Sequence, residues 1–202
     1  MNDLVSIILP TFNSEKTIHS VLESLHNQTY KNFELIVIDN NSNDSTLKII
    51  QTFKNKFQSI QIINNFKNNL SISLNMGINK AKGEFIMRVD SDDISDKNRI
   101  KESLLFLKSS SDIKMIGTNV YLKFLGLKFY KKYPSNHHDI MALMPFYNPF
   151  AHPSIIFDKE IFSSGLKYNE YNKYSEDYEL WIKIVKKFRV ANLKQPLLEY
   201  KL

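Results

Sequence analysis

The chain has no cysteine among its 202 residues. Disulfide bonds, zinc sites built on thiolates and a cysteine nucleophile are therefore excluded. Long apolar runs are also missing: no stretch approaches the roughly 18 residues that a membrane-spanning helix needs. The N-terminus lacks the pattern of a signal peptide. We therefore expect a cytoplasmic protein whose core is built from the 43% of its residues that are hydrophobic.

Glycine and proline are scarce, with five and six residues. No cluster of them forms a linker and no internal repeat divides the chain, so we predict one domain over residues 1–202. The glycine-rich motifs G-x-G-x-x-G and G-x-x-x-x-G-K-[ST] are both absent. A Rossmann dinucleotide site and a P-loop are therefore excluded.

Acidic residues are outnumbered by basic ones, 21 against 27, which gives a net charge of +6. This charge suits an anionic partner: a nucleic acid, a membrane surface or a phosphorylated substrate. We expect no nucleic acid, because the basic residues lack the aromatic interleaving of strand-binding surfaces. The sequence predicts a peripheral contact with the inner membrane face instead, and it leaves the oligomeric state open. Basic residues are concentrated in the second half, as Lys123, Lys128, Lys131, Lys132, Lys183, Lys186, Lys187 and Arg189.

The first half of the chain alternates between strand-like and helix-like segments. The predicted strands cover residues 5–9, 33–38, 60–63 and 83–87. The first predicted helix is capped by Asn13 or Ser14, and its apolar face consists of Ile18, Val21, Leu22 and Leu25. A third helix is predicted over residues 72–81, interrupted by Gly77. The alternation favours a mainly parallel sheet covered by helices.

The second half follows a less regular pattern. We predict helices over residues 140–146 and 179–188, and another helix marked by Ile100, Leu104 and Leu107. Strands are predicted over residues 115–117 and 154–157. Residues 121–130 read as a pair of strands around Gly126.

Three carboxylates, Asp90, Asp92 and Asp93, follow directly after the fourth predicted strand. Crowded carboxylates repel each other unless something positive lies among them, and a hard cation with oxygen ligands, Mg²⁺ or Mn²⁺, would meet that need. Taken alone, the segment also fits a solvated acidic turn or a helix cap. Polar clusters at residues 10–13 and 39–44 follow two further strands. In such sheets ligands bind beyond the carboxyl ends of the strands, which favours a ligand site.

Six short motifs occur in order along nearly the whole chain. They are P-T-F-N at 10–13, V-I-D-N-N-S at 37–42, N-M-G at 75–77 leading into A-K-G-E-F-I at 81–86, R-V-D-S-D-D-I at 88–94, N-P-F-A-H-P-S at 148–154 and S-E-D-Y-E-L-W at 175–181. In this combination the chain resembles the family 2 glycosyltransferases. The resemblance implies the GT-A fold, an α/β architecture in which a central, mostly parallel but mixed sheet is flanked by helices. It also implies a Rossmann-like nucleotide-binding half, about residues 1–93, and an acceptor-binding half, about residues 94–202.

The resemblance further implies transfer of a sugar from a UDP-, dTDP- or GDP-linked donor to an acceptor hydroxyl, with inversion at the anomeric carbon. The acceptor would be a saccharide or a lipid-linked saccharide of a cell-surface polysaccharide, lipopolysaccharide or glycolipid. Asp177 would be the general base, while Asp90 and above all Asp92 would hold Mn²⁺ or Mg²⁺. The nucleotide would contact Pro10, Thr11, Phe12, Asn13, Asp39, Asn40, Asp90 and Ser91.

Several of these residues have alternative interpretations. The candidates for contacts with the sugars are Asp93, His152, Glu176 and Trp181. His152 also fits a buried, hydrogen-bonded histidine, and Trp181 fits the apolar face of a helix. Glu176 and Asp177 taken alone are typical of helix-capping acids.

Two residues near the predicted nucleotide site also leave a choice open. Arg88 fits either a phosphate contact or an ion pair with a neighbouring acid. Asn40 stands where the family commonly has aspartate, and its amide oxygen could accept a hydrogen bond from a pyrimidine N–H.

Two other functions compete with glycosyl transfer. A sugar nucleotidyltransferase has a similar sheet, but it usually carries a loop rich in glycine and basic residues after the first strand, and residues 10–14 contain neither glycine nor arginine. A catalytically impaired module that binds nucleotide sugars is the second alternative. The presence of Asp90, Asp92 and Asp177 argues against it.

Overall fold

The computed structural model describes residues 2–201. Its strands are β1 (Val5–Thr11), β2 (Phe33–Asp39), β3 (Ile60–Asn64), β4 (Phe85–Arg88), β5 (Ile94–Ser95), β6 (Ile113–Phe124), β7 (Leu127–Lys131), β8 (Ile156–Asp158) and β9 (Arg189–Lys201). Its helices are α1 (Ile18–His26), α2 (Thr46–Thr52), α3 (Leu70–Lys80), α4 (Arg99–Ser109), α5 (His137–Leu143), α6 (Glu160–Ser163) and α7 (Glu176–Val185). Short 3₁₀ turns cover Lys54–Lys56 and His152–Ser154.

All nine strands of the described residues belong to one sheet, in the order β3-β2-β1-β4-β8-β6-β9-β5, with β7 paired to β6. The first four strands of this order run parallel, as predicted. Antiparallel pairing begins where β4 meets β8 and continues from β8 to β6, whereas β6 and β9 are parallel again. The sheet is therefore mixed, and its parallel part is confined mainly to the first half of the chain.

Helices cover both faces of the sheet because alternate strand residues point to opposite sides. On β1, Val5, Ile7 and Leu9 pack with α1, α2 and α4, whereas Ile8 packs with α3, α5, α6 and α7. The face predicted for α1 is confirmed: its four apolar residues are completely buried. Two hydrophobic layers thus hold the sheet between them.

Gly77 does not interrupt α3, contrary to the prediction, because the helix runs unbroken from Leu70 to Lys80. A Cβ atom at position 77 would lie 2.5 Å from Cγ2 of Ile8. Glycine therefore lets the helix pack closely on β1. This close packing offsets the cost of glycine inside a helix, which is about 1 kcal/mol relative to alanine.

Several other predicted elements shift in the structure. Helix α1 begins at Ile18, after Thr17, and no side chain caps it, so the predicted cap at Asn13 or Ser14 is wrong. Helix α7 begins three residues earlier than predicted and ends at Val185. The hairpin around Gly126 is confirmed. The long strand β9 was not predicted.

None of the helices in the described part of the chain has the length and apolar character needed to cross a bilayer.

Candidate active site

A cavity of about 590 Å³ opens at the carboxyl ends of β1, β2 and β4. Half of the residues that line it are predicted site residues: Pro10, Thr11, Phe12, Asn13, Asn40, Asp90, Ser91 and Asp92. Two lysines, Lys16 and Lys201, also border it. The sequence reasoning did not single out either lysine, and nothing near residue 201 marks it as part of a site.

Hydrogen bonds between loops shape this cavity. The backbone N–H of Asn13 donates to Ser42 Oγ at 3.0 Å, and Asn13 Oδ1 accepts from the N–H of Asn43 at 3.0 Å. Asn13 adopts a positive φ of 46°, a conformation that asparagine tolerates better than most residues. Ser14 Oγ lies 2.7 Å from Ser91 Oγ, which ties the loop after β1 to the acidic segment.

Asp39 does not line the cavity, although the family resemblance implied a contact with the nucleotide. Its side chain is buried and accepts hydrogen bonds from the hydroxyls of Thr11 at 3.1 Å and Ser42 at 2.6 Å, and from the N–H of Ser42 at 3.0 Å. The carboxylate therefore organises the loop after β2.

Asn40 borders the cavity, but its amide oxygen is already engaged. That oxygen accepts from Asn65 Nδ2 at 3.0 Å and from Ser73 Oγ at 2.6 Å, and Asn40 Nδ2 donates to the carbonyl of Thr11 at 3.2 Å. Both lone pairs of the oxygen are used. The predicted contact between this oxygen and a pyrimidine N–H is therefore corrected.

The acidic segment brings three carboxylates together. One oxygen of each of Asp90, Asp92 and Asp93 lies within 4.8 Å of the others. Burial raises the pKa of the Asp90 carboxyl against the pull of the Arg88 guanidinium, and the Asp92 charge adds to the rise. Burial, followed by the Asp90 charge, raises the pKa of Asp93 to about 8.

This oxygen set fits a divalent cation. Asp93 Oδ2 is buried without a hydrogen-bond partner, and the three carboxylates disfavour each other's ionisation, which a hard cation would reverse. Arg88 forms an ion pair with Asp90, so the structure favours the ion pair with a neighbouring acid over the phosphate contact. Its Nε and Nη1 atoms are buried without a partner.

A second cluster forms in the second half of the chain. One ligand-type atom of each of His152, Glu176 and Asp177 lies within 4.8 Å of the others. Asp177 lies in the first turn of α7, where Oδ2 accepts from Asn148 Nδ2 at 2.7 Å and Oδ1 accepts from the N–H of Tyr178 at 2.7 Å. No ion pair in the described part of the chain neutralises Asp177.

Burial controls the ionisation of the other two members of this cluster. It lowers the pKa of His152 well below the ordinary value, so the imidazole is neutral at pH 7. His152 Nε2 lies 2.9 Å from the hydroxyl of buried Tyr168. Burial, together with the Asp177 charge, raises the pKa of the half-buried Glu176.

None of the four residues predicted to contact the sugars lines this cavity, and two of them are completely buried. Trp181 is completely buried and packs against Phe150, His152 and Phe157, with ring centroids 5.5–5.8 Å apart. Its position on the inner face of α7 corrects the prediction of a sugar contact. Asp93 is also completely buried and accepts from the backbone N–H of Lys201 at 2.9 Å.

Arg99 connects the two acidic clusters and was missed at the sequence level. Its buried guanidinium donates to Ser95 Oγ at 3.1 Å and to the carbonyls of Arg88 at 3.0 Å and Pro153 at 2.5 Å. These bonds fix the end of β4 beside the turn that carries His152. An arginine at the start of a helix carries no sequence signal for such a role.

Comparison with known sequences identifies the family. The sequence profile described as "Glycosyl transferase family 2" matches residues 6–165. The O-antigen biosynthesis glycosyltransferase WbnJ of Escherichia coli is 33% identical over 99% of this chain and 80% of its own length. A second Escherichia coli relative, the UDP-Glc:alpha-D-GlcNAc-diphosphoundecaprenol beta-1,3-glucosyltransferase WfaP, is 30% identical over 92% of this chain and 71% of its own length.

Solved structures show the same fold. Staphylococcus aureus TarS in complex with UDP-GlcNAc superposes with a TM-score of 0.84 at 23% identity, over 98% of this chain and 58% of that chain. Glucosyl-3-phosphoglycerate synthase from Mycobacterium tuberculosis, with Mn²⁺ and UDP, gives a TM-score of 0.72 at 17% identity, over 99% of this chain and 72% of that chain. The predicted GT-A fold is thus confirmed, and the chain belongs to glycosyltransferase family 2.

Proposed function

We propose that this chain is a metal-dependent inverting glycosyltransferase that uses a nucleotide diphosphate sugar. The observation that carries the proposal is the position of the carboxylates of Asp90 and Asp92 on the wall of a cavity of about 590 Å³, at the carboxyl edge of a GT-A sheet. This is the edge at which open α/β sheets bind their ligands.

The donor is a UDP-, dTDP- or GDP-linked sugar. The TarS structure holds UDP-GlcNAc, and the printed name of WfaP specifies UDP-Glc, which favours UDP among the three. Pro10, Thr11, Phe12 and Asn13 contact the nucleotide, together with Asn40 and Ser91. Lys16 and Lys201 border the same cavity and offset the negative charge of a diphosphate.

Asp90 and Asp92 hold the Mn²⁺ or Mg²⁺ ion, which supplies Lewis-acid stabilisation of the departing diphosphate when it is bound. Mn²⁺ is present in the structure of the mycobacterial synthase, which supports this choice of cation. Arg88 keeps Asp90 oriented through their ion pair. Asp93 acts behind them and holds the segment to β9.

Asp177 is the general base. As the acceptor oxygen bonds to the anomeric carbon, the bond from that carbon to the diphosphate breaks, and the acceptor proton moves to the Asp177 carboxylate. A single displacement of this kind inverts the anomeric configuration. Asn148 and the Tyr178 N–H hold the carboxylate by one bond to each oxygen, and each oxygen keeps a lone pair for the proton.

The acceptor is a saccharide or lipid-linked saccharide in the synthesis of a cell-surface polysaccharide, lipopolysaccharide or glycolipid. The named roles of WbnJ and WfaP support this substrate class. Glu176 and His152 lie beside the proposed base, and half-buried Glu176 is the one of the two that an acceptor could contact. The net charge of +6 supports a contact with the anionic inner membrane face, where lipid-linked acceptors are found.

Thermal unfolding in the presence of UDP-, dTDP- and GDP-sugars, with and without Mn²⁺, tests this function. A ligand at 100 times its Kd stabilises the native state by about 2.7 kcal/mol. We expect one nucleotide to raise the Tm, and to do so only with Mn²⁺ or Mg²⁺. Proton NMR of the product with a suitable acceptor would then show the inverted anomer. No Tm change with any donor would contradict the proposal.

A further inference from the structure

The hairpin formed by β6 and β7 carries an unusual combination of residues. Positions 121–133 contain four lysines, eight aromatic or aliphatic residues, one glycine and no acid, so basic and aromatic residues do interleave here. The chain reverses at Leu125 and Gly126, which adopt positive φ values of 48° and 81°. Neither the donor cavity nor the base uses this segment.

One face of the hairpin is apolar and open to solvent. The pairing of Leu122 with Phe129 and of Phe124 with Leu127 places these side chains on the same face. Phe124, Leu127 and Phe129 are 50%, 61% and 51% exposed, and Leu125 at the tip is 84% exposed. Large apolar side chains grouped in this way are typical of an interaction surface.

Lysines lie on both faces of the hairpin: Lys131 shares the apolar face, whereas Lys123 and Lys128 lie on the opposite one. Lys128 pairs with Glu199, but no ion pair within residues 2–201 involves Lys123, Lys131 or Lys132. Lysines near an apolar patch match the layering of a bilayer surface, since apolar side chains enter the acyl boundary while ammonium groups meet the phosphates.

We propose that this hairpin is the surface by which the protein docks on an anionic lipid membrane. The inference rests on the proposed function, because it gives the peripheral membrane contact a specific site. The hairpin contains no acid, and three of its four lysines have no ion pair within residues 2–201, so its positive charge complements anionic lipid and selects this partner.

The position of the hairpin connects docking with catalysis. Its tip residues Leu125 and Gly126 line a cavity of about 300 Å³ together with Asp92 and Lys201. Docking the tip on a membrane therefore brings the acidic segment, which contains Asp92, close to the lipid headgroups. An acceptor sugar attached to a lipid would then reach the site without leaving the bilayer.

Pairing with a second copy is less favourable. Strand β7 pairs only with β6 among the described strands, so its other edge is open. That edge carries Lys128 and Lys131, with Lys132 directly after it, and an edge-to-edge dimer would bring these like charges together. Lysines on edge strands oppose such association.

Flotation with lipid vesicles tests the proposal. We expect the chain to float with phosphatidylcholine vesicles that contain phosphatidylglycerol, but not with phosphatidylcholine alone. Each basic residue near an anionic surface contributes roughly a fivefold factor, so Lys131→Gln/Lys132→Gln should weaken binding about 30-fold. The matched control is Lys186→Gln/Lys187→Gln, an exposed pair after α7 with the same change of charge; its binding should stay near the parental value.

A second variant tests the apolar contribution. Asparagine tolerates the positive φ at position 125, so Leu125→Asn keeps the turn. It should reduce vesicle binding by roughly 10-fold or more, since a buried leucine contributes about 1.5–3 kcal/mol. Leu105→Asn, at a 43% exposed position on α4, is the control and should bind like the parent.

Three outcomes overturn the proposal: no flotation of the parent, equal losses in the hairpin and control variants, or binding of a single-stranded oligonucleotide in place of vesicles. Sedimentation that shows a dimer disrupted by Leu125→Asn, without flotation, assigns the hairpin to a contact between copies. Mn²⁺-dependent UDP binding by Lys131→Gln/Lys132→Gln should equal that of the parent. If the parent floats but binds no nucleotide sugar, the proposed enzymatic function fails and the docking surface stands.

Discussion

Asn148 donates a hydrogen bond from its side-chain amide to Asp177 Oδ2 at 2.7 Å across 29 residues of sequence. The Asn148 amide oxygen accepts from the N–H of Phe150 at 3.2 Å, which keeps the amide oriented. The acid of α7 is therefore positioned by a loop that precedes the turn at His152. This contact holds the Asp177 carboxylate in one orientation, as the proposed role of general base requires.

Asp177→Asn removes the proposed proton acceptor while it keeps the size of the side chain. Transfer should fall by roughly 10²–10⁴-fold, the usual contribution of general acid–base catalysis, and nucleotide binding should stay at the parental level. Initial rates and nucleotide titrations measure the two effects. Asp139→Asn is the matched control, since Asp139 also lies in the first turn of a helix and accepts from an asparagine. Near-parental transfer by folded Asp177→Asn would restore the capping interpretation.

Asn148→Asp tests positioning of the base. The variant keeps an oxygen for the Phe150 N–H but replaces the amide donor with an acceptor that repels Asp177. We expect kcat to fall about 10-fold or more. The KM for the donor should change little, because the proposed donor contacts lie in the cavity beside Asp90 and Asp92. Asn136→Asp removes a similar donor from Asp139 outside the site, and its kcat should not change. Equal kcat values for the Asn148 variant and the parent would show that this bond does not position the base.

Asp92→Ala tests the metal site. The variant should lose Mn²⁺-dependent nucleotide binding, because a cation ligand is removed. Its Tm should equal or exceed the parental value, since repulsion among the three carboxylates is relieved. Asp96→Ala, an exposed acid four residues along the chain, controls for the loss of charge. Parental binding of UDP with Mn²⁺ by the Asp92 variant would contradict the assignment.

His152 makes stability depend on pH. Its pKa in the folded protein lies below the ordinary 6.5, so the unfolded chain binds more protons in that range and stability falls as the pH drops below 6.5. One such group changes the free energy of unfolding by up to about 1.4 kcal/mol per pH unit. His152→Gln should flatten this decrease in urea titrations between pH 7 and pH 5. His138→Gln, at an exposed site, should leave it unchanged; a parental slope in His152→Gln would assign the decrease to other groups.

The first half of the fold and the acidic segment could be predicted because their sequence signals are local. Strands β1 to β4 are short apolar runs, and Asp90 and Asp92 follow the last of them directly. Strand β9 lacked such a signal. It contains Asn192 and Pro196, and its polar groups are satisfied by distant partners, as when Asn192 Nδ2 donates to the carbonyl of Pro134 at 2.8 Å.

The site could be predicted only in part for the same reason. The family resemblance placed Asp39 and Asn40 in the site, and residue type placed Trp181 there, yet their side chains are directed by contacts that the sequence does not reveal. The amide oxygen of Asn40 accepts hydrogen bonds from Asn65 and Ser73. Trp181 is buried on the inner face of α7. Arg99 shows the opposite case, because its role exists only once the end of β4 and the turn at Pro153 have come together.

The hydrogen bond from the backbone of Lys201 to Asp93 joins residues 108 positions apart. On the ribosome, the acidic segment and the strands of the first half emerge long before this partner has been synthesised. Asp93 can form this bond only after β9 has been synthesised, and β9 lies inside the sheet between β6 and β5. A nascent chain can therefore assemble the parallel half early, but it completes the cavity wall only when residue 201 has left the exit tunnel.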